Sequence, residues 1–170
     1  NGPWAKRAGY DFLLQGYLWA RSLIENASIN ASDIVINVID DHTLDLDVIQ
    51  KLADDGIVDT SRVFLYGFSQ ACALNFRFAF TNPEVLKGII GACGGIPSDL
   101  DSNEVYQPMD GKALYLYGNE DEFYPFEKLQ KFEKRLDSYL PEFESKSYDA
   151  KHEITNDMRE DMKKWLLLNA

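Results

Sequence analysis

The sequence predicts an α/β fold, a mostly parallel sheet covered by helices on both faces. Three observations carry that reading. Short apolar runs of strand length alternate with longer stretches whose apolar residues recur at helical spacing. The runs at 63–66, 86–93 and 112–117 are nearly continuous, as strands buried on both faces tend to be. The first of them runs through Gly67-Phe68-Ser69-Gln70-Ala71 straight into a helix-forming stretch.

The 170 residues suit a single domain, 1–170, with enough chain to bury a core. A net charge of −11 disfavours nucleic acid and anionic membrane surfaces as partners. The two cysteines, Cys72 and Cys93, sit in apolar segments and read as small core side chains, not as a disulfide framework. No apolar run is long enough for a membrane span and no signal peptide opens the chain, so a cytoplasmic location is expected. The sequons at Asn26 and Asn30 are discounted as chance matches. The chain opens at Asn1-Gly2-Pro3 without methionine, which reads as a fragment or a mature product.

Pro3 suits the first turn of a helix, and residues 4–24 carry Phe12, Leu13, Tyr17, Ala20, Leu23 and Ile24 at helical spacing. Residues 34–39 are a β-branched run of strand length ending in Asp40-Asp41. Such an acidic pair can hold magnesium, but negative charge at the start of a helix over 44–53 accounts for it better. His42, in the same acidic linker, reads as a solvated or capping residue. Asp54-Asp55-Gly56 ends that helix, and 59–62 lead into the strand at 63–66. A helix over 72–80 stops at Thr81-Asn82-Pro83, because proline disfavours helical backbone before it. The strand at 86–93 follows, then a polar loop over 99–110 and the strand at 112–117. A helix over 126–139 places Leu129, Phe132, Leu136 and Tyr139 on one face. The more polar run at 144–148 suits a sheet edge, and a last helix covers 156–168.

A serine on a sharp strand-to-helix turn is a nucleophile elbow. Taken alone, Gly67-x-Ser69-x-Ala71 is as well explained as an ordinary strand-turn-helix. Gly67 and Ala71 are small where strand and helix pack closely, and the turn aims the Gln70 N–H at a developing oxyanion. The chemistry needs partners. A serine hydroxyl is a poor nucleophile until a neutral imidazole takes its proton, and a carboxylate must hold that imidazole in the right tautomer. Ser69, Asp121 and His152 are expected at the ends of three consecutive strands, which in a parallel sheet gather along one edge. An aspartate after a strand is ordinarily a turn former and a loop histidine ordinarily a surface residue. Their joint placement, in the order nucleophile, acid, histidine, favours a catalytic triad. Asp121 is expected to be the acid, not Glu120 or Glu122. It lies three residues past Gly118, where a short side chain turns back over the strand ends.

Tyr66-Gly67-Phe68-Ser69-Gln70-Ala71, then Gly118-Asn119-Glu120-Asp121-Glu122-Phe123-Tyr124-Pro125, then His152-Glu153-Ile154 resemble the phospholipase/carboxylesterase branch of the α/β-hydrolases. The resemblance covers residue 44 to the C-terminus. It implies an α/β-hydrolase-like fold and a serine esterase acting on small carboxylic esters or thioesters. No cofactor or metal is implied, and the partner is a small-molecule ester. Two positions depart from the family pattern: Ala71 stands for a second glycine, and Lys151 precedes the histidine.

In this fold an earlier strand carries a His-Gly-type loop that supplies a second oxyanion donor. No such motif is present, and Asn1-Gly2 reads as the tail of that loop, so the first strands of the sheet are expected to be lacking. Two other functions compete with the esterase reading. One is a binding domain that keeps the elbow for structural reasons, and the other a thioesterase or acyltransferase using the same triad.

Overall fold

The structure, a computed structural model, describes Gln50, residues 53–56 and residues 59–170. The helix expected over 4–24, the strand at 34–39, Asp40, Asp41 and His42 lie outside the described residues, as does most of the helix expected over 44–53. The end of that last helix is described: Ala53 and Asp54 are helical, and Gly56 follows at φ +70°.

Four strands and three helices follow one another along 64–169. They are β1 (Phe64–Phe68), α1 (Gln70–Thr81), β2 (Gly88–Ala92), β3 (Lys112–Gly118), α2 (Phe126–Leu136), β4 (Glu142–Tyr148) and α3 (Asn156–Asn169), alternating except that β2 leads to β3 with no helix between. A 3₁₀ turn, Thr60–Arg62, precedes β1, and the Asp59 side chain caps it by accepting from the Ser61 N–H. The strands lie in the order β1-β2-β3-β4, every neighbouring pair parallel. The expectation of three consecutive site-bearing strands needs correcting. Ser69 follows β1, Asp121 follows β3 and His152 follows β4, with β2 lying between the first two.

β1, β2 and β3 each bury both faces, because helices cover both sides. Leu65, Ile89 and Ala113 are in register across three strands and face one core, packed with Phe76 and Phe80 of α1 and Leu129 and Leu136 of α2. One residue along, Tyr66, Ile90 and Leu114 face the other way, onto Met158, Met162 and Trp165 of α3. The period-2 alternation of a strand thus gives two cores from one apolar run. β4 differs: its residues are exposed or half-buried, as expected of the last strand in the described sheet.

Gly67 and Gly91 are paired in register, and together they let α1 lie close to the sheet. A Cβ on Gly67 would meet Asn75 Nδ2 at 2.5 Å, and one on Gly91 would meet the Phe76 ring at 2.9 Å. Tyr115, next in that row, fills the space beyond them and donates its hydroxyl to Gly94 O at 2.5 Å.

Two expectations are revised. α2 ends at Leu136, short of Tyr139, whose N–H closes a turn onto Leu136 O at 2.8 Å and whose hydroxyl donates to Leu100 O at 3.0 Å. The loop over 99–110 is irregular as expected but not merely polar: Leu100, Tyr106 and Met109 are buried in the first core. Asp99 ties it down, accepting from Arg77 of α1 at 2.8 Å, Asn103 at 3.0 Å and the Tyr106 hydroxyl at 3.1 Å. Among the described residues no helix is long and apolar enough to cross a membrane.

Candidate active site

Ser69 lies between β1 and α1 at φ +56°, ψ −121°, a backbone conformation that costs a non-glycine residue about 1–3 kcal/mol. β2 and α1 hold it in place. The Ser69 N–H donates to Ala92 O of β2 at 2.9 Å, and Ser69 O accepts from the Cys72 N–H at 3.1 Å. The Cys72 thiol, inside the turn, donates to Gly67 O at 3.1 Å and Ala92 O at 3.2 Å. A serine at this position ordinarily caps its helix. Here its hydroxyl makes no cap bond.

That hydroxyl meets His152: Ser69 Oγ is 2.9 Å from His152 Nε2, across 83 residues of sequence. The other ring nitrogen, Nδ1, is 2.8 Å from Asp121 Oδ2. An ionised carboxylate can only accept, so Nδ1 is the donor in that pair, and in a neutral ring this tautomer turns the Nε2 lone pair to the hydroxyl. The Asp121 side chain is fully buried, and its second oxygen accepts the N–H groups of Phe123 at 2.9 Å and Tyr124 at 2.8 Å. Those bonds satisfy a group that would be costly to bury alone.

Strand register brings the acid and the histidine together. Gly118 ends β3 in pairing with Tyr148 of β4. The pairing continues past the strands: the Asn119 N–H donates to Tyr148 O at 2.8 Å, and the Glu120 N–H to Ala150 O at 3.0 Å. The two loops therefore leave the sheet side by side. The three sequence-predicted side chains come into one hydrogen-bonded line, and Glu120 takes no part in it. Gln70, read as an oxyanion donor, is the first residue of α1, where a backbone N–H has no acceptor within the helix. Asn1 and Gly2, read as the tail of the loop with the second donor, lie outside the described residues.

Several residues at the site carry no signal that sequence reasoning assigned. Glu122 Oε2 accepts the backbone N–H of His152 at 3.2 Å. Three aromatic rings surround the imidazole: Phe68 and Phe123, each with its centroid 4.9 Å away, and Tyr124 at 5.9 Å. Their adjacency to Ser69 and Asp121 in sequence is the one hint available. Cys93 follows β2 at φ +47°, and its thiol donates to Glu153 O at 3.4 Å. Burial, and then the Asp121 charge, push that thiol up to about 12, while burial pushes the Cys72 thiol well above the ordinary range. Burial therefore disfavours the thiolate form of both cysteines. Among the described residues no group of three or more His, Cys, Asp or Glu side chains is arranged to hold a metal.

Comparison with known proteins agrees with this architecture. The chain is similar to SOBER1 of Arabidopsis thaliana at 23% identity and a TM-score of 0.59, over 72% of this chain and 60% of that one. It is similar to a phospholipase/carboxylesterase from Dyadobacter fermentans at 21% identity and a TM-score of 0.57, over 71% and 59% of the two chains. A Bacillus cereus carboxylesterase, at 13% identity, aligns with a TM-score of 0.62 over 73% and 57%. At these identities the likeness is one of fold, and the fold is α/β-hydrolase-like. The chain spans about 60% of the length of the SOBER1 structure. A comparison with curated proteins gave no match. The sequence model of the phospholipase/carboxylesterase family matches residues 23–169, most of the chain, and this protein therefore belongs to that family.

Proposed function

We propose that this protein is a serine hydrolase that cleaves carboxylic esters or thioesters through an acyl-Ser69 intermediate. The observation that carries this reading is the unbroken line from Asp121 Oδ2 to His152 Nδ1 at 2.8 Å and from His152 Nε2 to Ser69 Oγ at 2.9 Å. It is held by a serine whose φ of +56° aims its hydroxyl out of the turn.

The reaction follows from that line. As Ser69 Oγ bonds to the ester carbonyl carbon, its proton passes to His152 Nε2. The carbonyl oxygen takes up the displaced electron pair beside the start of α1, where the Gln70 N–H is the donor. Asp121 remains ionised and stabilises the imidazolium without accepting its proton. The tetrahedral adduct collapses, the bond to the alcohol or thiol breaks, and Nε2 returns its proton to the departing oxygen or sulfur. Water then adds to the acyl carbon as Nε2 takes one of its protons. The acid leaves, and the proton returns to Ser69 Oγ.

Labelling with a fluorophosphonate, mapped by peptide mass spectrometry, tests the reading. Modification is expected at Ser69 and lost in Ser69→Ala. If Ser69 stays unmodified while a control serine hydrolase reacts, the protein is a binding domain that keeps the elbow for structural reasons.

A further inference from the structure

One aromatic ring beside the imidazole is left largely exposed among the described residues. Phe123 is 67% exposed, although its centroid is 4.9 Å from the imidazole at an interplanar angle of 68°. Its two aromatic neighbours at His152 are accounted for. Phe68 is half-buried against the core shared with α3, and Tyr124 is half-buried against the core under α2, its ring 3.4 Å from where a Cβ on Gly95 would be. The backbone of Phe123 is fixed by the Asp121 carboxylate, which accepts its N–H at 2.9 Å while holding His152 Nδ1 at 2.8 Å. The ring is thus rooted on a fixed backbone beside the imidazole and faces solvent.

Resting on the acyl-serine reading, we propose that Phe123 is a specificity-determining residue for the leaving group, selecting esters whose alcohol half is apolar or aromatic. The departing oxygen must come within hydrogen-bond reach of His152 Nε2 to receive its proton. The rest of the alcohol then lies against whatever surrounds the imidazole, and among the described residues the exposed large apolar side chain there is Phe123. The acyl half is bonded to Ser69 Oγ and receives no proton from Nε2, so its place is not tied to the imidazole in the same way. An apolar alcohol covering the ring removes both surfaces from water, whereas methanol covers little of it. Once the acyl-enzyme has formed the alcohol is gone, so the selectivity belongs to acylation alone.

Two ester series separate the halves. In one, the acetate is kept and the alcohol varied through methyl, butyl and benzyl; in the other, the methyl ester is kept and the acyl group varied from acetyl to hexanoyl. Values of kcat/KM for wild type and Phe123→Ala are compared as ratios within each series, which cancels intrinsic ester reactivity. Phe123→Ala is expected to lower the benzyl-to-methyl ratio by about tenfold and leave the hexanoyl-to-acetyl ratio within a factor of two. Phe123→Leu is expected to fall between. Turnover with an unchanged benzyl-to-methyl ratio, or a change confined to the acyl series, overturns the proposal while leaving the acyl-serine reading intact. If Ser69 neither labels nor turns over any of these esters, the acyl-serine reading fails and the proposal with it.

Discussion

Glu122 accepts the backbone N–H of His152 at 3.2 Å while its neighbour Asp121 holds the ring of the same histidine at 2.8 Å. Two consecutive carboxylates thus divide the work, one on the main chain and one on Nδ1. The longer side chain leaves the turn in a different direction and reaches the loop, while the shorter one turns inward to the imidazole.

Exchanging each acid for its amide separates the two roles. Asp121→Asn keeps the shape but offers the ring an amide, and turnover of a p-nitrophenyl ester is expected to fall by up to about 10⁴. Glu122→Gln still presents an oxygen to the His152 N–H and is expected to stay within a few-fold of wild type, as is Glu120→Gln. Thermal melting of all three checks that they fold. Near-normal turnover in Asp121→Asn, alongside a loss in either glutamine variant, would move the role of acid to that glutamate.

The packing of α1 on the sheet makes Gly91 sensitive to a single methyl group. A Cβ there would lie 2.9 Å from the ring of Phe76, which is fully buried and stacks on Phe80 with centroids 5.9 Å apart. Neither ring has room to retreat. Gly91→Ala is expected to lose about 1–3 kcal/mol of stability, read as a lower denaturant midpoint at unchanged slope. An unshifted midpoint would show that the helix can move off the sheet at little cost.

Thiol reactivity gives a pH-dependent check on the choice of nucleophile. Burial and the Asp121 charge push the Cys93 thiol up to about 12, so its thiolate fraction is negligible from neutral pH to pH 9 and rises only beyond. Cys72 is fully buried and shifted in the same direction. Iodoacetamide at pH 8 is therefore expected to leave both cysteines of the native protein unmodified, to label both after denaturation, and to spare ester turnover. Rapid native labelling of Cys93 with loss of turnover would point to a thiol in the chemistry.

What the sequence determined by itself is local. Val63 to Ala71 specifies a strand, a tight turn and a helix start, because small residues at Gly67 and Ala71 and an apolar run leave the backbone few other choices. The apolar runs that became β1, β2 and β3 declare parallel strands by being hydrophobic throughout, and the polar β4 declares an edge. Ser69, Asp121 and His152 were legible for the same reason, each standing just past a strand end. The tertiary structure alone decided what lies against what. Pairing of Gly118 with Tyr148 sets the loops after β3 and β4 side by side, and only then can Glu122 reach His152 and Phe123 stand beside the imidazole. The burial of Leu100, Tyr106 and Met109 in a loop with no periodicity is of the same kind. Periodicity reports which face of an element turns inward. Contacts between loops tens of residues apart depend instead on strand register, which no window of sequence contains.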